Sequence, residues 1–365
     1  MILALLFACS PDDELGGVAV LGGGTHDAAN VTATPVASAD DGLDLPTDLA
    51  FDPETPGRLW IVNQADDSVT IVHDADGSEP ISEHIVDPYA VHFMDAVSSI
   101  DFGAPGTFGT CQDSENTYNG RSEANDFMGP TLWSSDLDVF ASSNPEAVEY
   151  LTELFGFPVD LGSHLDMLHE SPQCTGITWE ADNRYWVVDS KNGEIDRVDF
   201  RVDHGVGWDD HSDGEIASYV TGEMGRREGV PSHMDLDPNT GLLWVADPGN
   251  NRVVALDTAT GERGKDKRTQ EPGTEHYTVD DAVLYLMIDG DDFGMEAPSG
   301  LALLGDLVFV SDYVTGRIWA FDLEGGEVDY LDVASEGLGG LEVISEDELW
   351  VTHIDANQVF RIQAL

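Results

Sequence analysis

The sequence predicts an all-β protein, a six-bladed β-propeller with a helical and loop insertion in its second blade. Three observations lead there. Six segments begin with small residues followed by a short apolar strand, near Thr47 (TDLAFD), Ser98 (SSIDFG), Thr175 (TGITWE), Ser232 (SHMDLD), Ser299 (SGLALL) and Gly339 (GGLEVI). After a turn, each segment has a second strand that usually carries an aromatic residue: RLWIVN, TFGTC, RYWVVD, LLWVAD, LVFVSD and ELWVTH. Third strands follow as SVTIV, EIDRVDF, RVVALD, RIWAFD and QVFRI, each a short β-rich run after a polar turn. A repeat of this period outweighs what length alone would suggest, so residues 31–365 form one domain.

Each element has a local reason. Trp60, Trp186, Trp244 and Trp350 stand in second strands and are expected between blades. The sixth blade shows only three strands, so a strand within Val31 to Ala37 is expected to supply its fourth and close the ring. Blade two is interrupted by residues 112–172, with a helix expected near Ser143 because Pro145 and Glu146 suit a first turn. Connections of this length are commonly functional, and this one is long enough to fold over a propeller face. Cys111 ends one second strand and Cys174 precedes the next first strand, so a disulfide between them is expected.

The segment VPSHMDLDPNTGLLWVADPGNNRVVALD closely resembles an NHL repeat, and looser copies cover about Leu45 to Ile362. The resemblance implies a propeller of a type that hosts binding modules, lactonases, lyases and strictosidine-synthase-like enzymes. LWVTHIDANQVFRI is similar to part of the pattern of peptidyl-hydroxyglycine amidating lyases, which implies zinc on channel histidines. Asn357 stands where that pattern has a metal histidine, however, and His233 is displaced by one position. A likeness to gluconolactonases and paraoxonases would instead imply calcium held by Asp48, Asn63 and Asp247. The opening MILALLFACS resembles a bacterial lipoprotein signal over residues 1–8, although its apolar run is short and no Lys or Arg precedes it. This implies lipidation at Cys9, an acidic tether over 9–30 and export to the periplasm, outer membrane or cell surface.

Composition narrows the function. With 71 acidic residues against 15 basic ones, the formal net charge is -56, which excludes an electrostatic footprint for nucleic acid. No stretch is long and apolar enough for a mature spanning helix, so contact with a membrane is expected only through the lipid, on a monomer. Setting Cys9 aside leaves an even pair of cysteines, as suits an oxidising compartment.

Strand order places His92, His164, His169, His233 and His353 toward one face, where they are expected to surround the channel mouth. Neutral imidazoles gathered there would suit zinc or copper, whereas calcium would select carboxylates. His73, His204, His211 and His276 follow third strands or lie in later loops and are expected on the opposite rim or the periphery. His204 and His211 lie beside several aspartates and offer a separate place for a cation. Asp48, Asp189, Asp247 and Asp312 are candidate ligand-binding residues; the last three also suit a structural role holding the following turn. Two functions fit these features: a non-catalytic protein binding a small molecule, peptide or protein at the histidine face, or a metal-dependent lyase or hydrolase using the same site.

Overall fold

A computed structural model describes residues 17–116 and 125–365; Cys9 and the lipoprotein signal lie outside these. The chain is a six-bladed β-propeller. β1 (Val31–Ser38) precedes the first blade, which holds β2 (Pro46–Phe51), β3 (Leu59–Asn63), β4 (Ser68–His73) and β5 (Ile81–Val86). After α1 (Ala90–Phe93), blade two holds β6 (Val97–Phe102), β7 (Thr107–Gln112), β8 (Thr131–Ser134), then α2 (Pro145–Phe155) and β9 (Asp166–Met167). Blade three is β10 (Cys174–Ala181), β11 (Arg184–Asp189), β12 (Glu194–Asp199) and β13 (Glu215–Tyr219). Blade four begins with β14 (Met234–Asp237), β15 (Leu242–Asp247) and β16 (Arg252–Asp257). It leaves its sheet for the hairpin β17 (Glu262–Asp266) and β18 (Glu275–Asp280), then returns as β19 (Val283–Asp289). Blade five is β20 (Pro298–Leu304), β21 (Leu307–Asp312), β22 (Arg317–Asp322) and β23 (Glu327–Asp332). Blade six is β24 (Leu338–Ser345), β25 (Glu348–His353) and β26 (Gln358–Ala364), completed by β1 in antiparallel register, Val31 opposite Ala364.

The second strands are buried along nearly their whole length because both faces meet other blades. Trp60 packs on Phe102 and Phe108 of blade two, and Trp244 lies in a core shared with Val308 and Val310 of blade five. The small residues opening each first strand are required where inner strands converge. A Cβ on Gly176 would sit 2.0 Å from the Ser232 carbonyl oxygen, and one on Gly300 would sit 2.2 Å from that of Gly339.

The blade-two segment is less an addition to the blade than part of it, since it contributes β8 and β9. α2 starts where Pro145 predicts, capped by the Asn144 side chain, which accepts from the amides of Glu146 and Ala147. Cys111 and Cys174 form a disulfide with Cα atoms 5.1 Å apart. Residues 17–30 depart from the expected tether. Val18, Val20 and Leu21 are apolar and pack into the core between blades five and six, and the Val20 amide bonds to the Glu346 carbonyl at 2.8 Å. The β17–β18 hairpin also departs from expectation: it joins blade three, where β18 runs parallel to β13, with Ile216 opposite His276.

Candidate functional site

Four imidazoles meet at the face of blades two and three. α1 carries His92 and Phe93, the segments flanking β9 carry His164 and His169, and the β12–β13 connection carries His211. The Nε2 atoms of His92 and His169 lie 3.3 Å apart. The His211 ring lies 5.0 Å from that of His169 and 5.3 Å from that of His164, centroid to centroid. Aromatic side chains hold these rings flat: Phe93 stacks on His164 at 3.6 Å and Phe127 on His169 at 3.8 Å. Beside them is a cavity of about 430 Å³, walled by Tyr89, Phe127, Phe155, Phe157, His92, His169 and His211.

Burial keeps the four rings neutral at ordinary pH. The pKa of His92 is driven down to about 3 by burial and then by its neighbours His169 and His211. His164 and His169 are held well below the usual histidine range, first by burial and then by the nearby His211. His211 is lowered by burial, against the pull of Glu271 and Asp209. Tautomers follow from partners. The His164 Nδ1–H donates to the Leu161 carbonyl at 2.9 Å, leaving Nε2 a buried lone pair with no hydrogen-bond partner among the described residues. Glu271 Oε1 lies 3.1 Å from His169 Nδ1 but outside hydrogen-bond geometry, so it places a negative charge beside the ring without fixing its tautomer. Asp166 lies 3.1 Å from His211 Nδ1, and burial raises its own pKa to about 8.

The fold does not bring the other two predicted histidines to this group. His233 immediately precedes β14, lines the channel cavity and lies 3.6 Å from Asp48 Oδ2. His92 and His169 line a different cavity from His233. His353 belongs to the junction of blades five and six, where its Nε2 is 2.6 Å from Ser335 Oγ. The Ala356 amide donates to its Nδ1 at 3.3 Å, so Nε2 carries the proton and the ring cannot deprotonate Ser335. His211, expected at the rim, joins the cluster because its loop folds back over β9. The Gly207 amide bonds to the His164 carbonyl at 2.9 Å there.

The aspartates divide in the same way. Asp189 accepts from the Asn192 amide and side chain. Asp247 accepts from the Gly225 amide, Asn250 and Arg252. Asp312 accepts from four amides, those of Glu296, Ala297, Val314 and Thr315. These three carboxylates hold turns. Asp48 lines a channel cavity of about 220 Å³ with Asp101, Asp235, Glu342 and His233. The channel acids also link blades: Asp48 accepts from the Ile100 amide, Asp101 from Trp179 and Asp235 from Leu303. Burial raises the carboxyls of Asp48 and Asp101 to about 7, Asp235 to about 6 and Glu342 to about 8. Asp101, Asp235 and Glu342 were missed in the sequence, although they share the fourth position of the repeat and period-two alternation turns it to the axis.

No family model and no curated protein matches the chain. Solved structures do. A luciferin-regenerating enzyme aligns with TM-score 0.56 at 12% identity over 92% of this chain and 96% of its own. An auxiliary nutrient binding protein from Bacteroides ovatus aligns with TM-score 0.55 at 11% identity, over 92% and 77%. The calcium-binding protein regucalcin from Agrobacterium tumefaciens aligns with TM-score 0.51 at 13% identity, over 90% and 94%. At such identities the likeness establishes the propeller fold alone.

Proposed function

We propose that this chain is an exported binding protein that takes a small ligand into the pocket of blades two and three, with a planar apolar body between the aromatic walls and a polar group on the imidazoles. The observation that carries this reading is the cavity itself, about 430 Å³ with aromatic walls and His92, His169 and His211 exposed to it. This is the mixture of apolar wall and few convergent polar groups that ligand sites use. The neutral rings offer both lone pairs and N–H donors. The expected lipid at Cys9 would hold the propeller at an envelope surface, and the Cys111–Cys174 disulfide is in keeping with an oxidising compartment. The NHL-like repeat is consistent with a binding role.

The test uses a neutral naphthalene probe, prodan, whose emission rises in apolar sites. A saturable increase at one probe per chain, weakened at least about tenfold by Phe127→Ala and by His169→Ala, supports the reading; a tenfold change corresponds to roughly 1.4 kcal/mol. Equal binding by both variants overturns it.

One observation favours the metal-dependent lyase or hydrolase as a second reading. Two nitrogens bound about 2.0 to 2.1 Å from a tetrahedral centre stand roughly 3.3 to 3.4 Å apart, and His92 and His169 present theirs at 3.3 Å. Zinc or copper binding at one equivalent that is lost in both His92→Ala and His169→Ala would favour it. Retention in both variants would remove it.

A further inference from the structure

A second group of metal-ligating side chains lies under the hairpin that blade four lends to blade three. Glu194 and Asp196 come from β12 and His276 from β18, and all three are buried. One ligand atom from each lies within 4.8 Å of the other two. The strand pairing sets this up, since β18 runs beside β13, which runs beside β12. No segment of contiguous sequence contains the group.

The hydrogen bonds leave two atoms over. Asp196 Oδ2 accepts from Ser171 Oγ at 2.6 Å, while Oδ1 is buried with no hydrogen-bond partner among the described residues. His276 Nε2 is 2.9 Å from Ser218 Oγ, while Nδ1 is likewise buried and without a partner. These residues are 0% and 5% exposed. Buried polar atoms are rarely left in this state. Here one is a carboxylate oxygen and the other, when Nε2–H donates to Ser218, an imidazole lone pair. Both are electron-pair donors, so a third hydrogen-bond acceptor would not satisfy them and a cation would.

The nearest positive charge is Lys267. Its ammonium lies 2.6 Å from Glu194 Oε2 and 3.1 Å from Ser218 Oγ, and its side chain is 27% exposed, so it reaches in from the surface. Glu194 Oε1 accepts from Thr221 at 2.7 Å. One ammonium thus faces two carboxylates, Glu194 and Asp196, while burial raises the neighbouring Asp189 carboxyl and favours its neutral form. Buried carboxylates need pairing or a metal.

We propose that Glu194, Asp196 and His276 form a site for one divalent transition metal of the zinc class, and that Lys267 is the counter-cation of the metal-free chain, displaced toward solvent when the metal enters. One imidazole with two carboxylates suits zinc, and manganese less well; an imidazole disfavours calcium and magnesium. The site is separate from the His92–His169 pocket and does not depend on its function. Bound there, the metal ties the β17–β18 hairpin to the blade that receives it.

The experiment is zinc titration by calorimetry on the chelator-stripped full chain, disulfide intact, with excess magnesium to occupy the acidic surface. The wild type is expected to bind one equivalent that magnesium does not compete away. Because outer-shell partners alone are worth about 10- to 100-fold, His276→Gln should weaken that equivalent by on the order of 100-fold. Lys267→Met should tighten it by removing the competing ammonium. The double variant His92→Ala/His169→Ala should keep it, which separates this site from the pocket. Unchanged zinc binding in His276→Gln overturns the proposal, as does loss of the equivalent in the double variant. Absence of binding in both the wild type and Lys267→Met also overturns it. If circular dichroism shows that His276→Gln does not fold, Lys267→Met decides: tighter binding supports the site and unchanged binding overturns it.

Discussion

Replacing both Cys111 and Cys174 with alanine should lower stability by about 4 kcal/mol. The disulfide joins the end of β7 to the start of β10 across a sequence separation of 63. In the chain-entropy treatment, closing a loop of that length removes roughly 14 cal/mol/K from the unfolded ensemble, which is about 4 kcal/mol at 25 °C. The loop contains β8, α2, β9, Phe127, His164 and His169, so the bond also closes the segment that builds much of the pocket. Both cysteines are fully buried, and alanine leaves only a small void, so the lost cross-link is the main term. Urea unfolding of the oxidised wild type, the reduced wild type and the double alanine variant measures this directly. The two forms without the bond should agree with each other and fall below the oxidised chain. A loss under about 1 kcal/mol would refute the reasoning, because a loop of this length cannot be so cheap to close in the unfolded chain.

Asp101→Asn should flatten the pH dependence of stability. The folded carboxyl is raised to about 7 from 3.8, so its stabilising protonated form is fully present below about pH 4 and is lost as pH rises through about 7. Melting curves at pH 5 and pH 8 in constant high salt should show a smaller fall for the variant, and an equal or larger fall would contradict the assignment. Asp312→Ala should cost about 3 kcal/mol or more, since four amides lose their acceptor, while prodan binding in the folded protein stays unchanged. Loss of the probe with the fold intact would return Asp312 to the ligand-binding residues. Trp244→Ala, at the junction of blades four and five, should lose about 3 to 5 kcal/mol in urea unfolding, and a loss below about 1 kcal/mol would place this residue outside the core.

The blades were legible because the small-residue entries recur and the apolar, mostly aromatic second strands mark each one. The closing strand was legible too, as blade six has three strands of its own and Val31 to Ala37 was the remaining β-rich run. Fourth strands were not, because they lie at the outer edge. β5 buries almost nothing, and β19 buries only Ile288 fully. The histidines were sorted by which end of a strand they follow, which brought His92, His164 and His169 to one face. That rule gives height along the propeller axis and nothing else, so it grouped His233 with residues that line a different cavity. His211 was misplaced for a different reason. It reaches its neighbours through a connection that folds back over β9, and polar loops carry no periodicity to reveal where they return.

The connection over residues 267–274 touches both clusters. Lys267 holds Glu194 at one end. Farther along, Gln270 bonds to Glu170, Glu271 faces His169, and Thr274 donates to the His211 carbonyl. Eight residues of one loop therefore carry the counter-charge of one cluster and a carboxylate set against a ring of the other. If releasing Lys267 changes where Glu271 rests, occupancy of either cluster enters the binding free energy of the other, and linkage makes the factor the same in both directions.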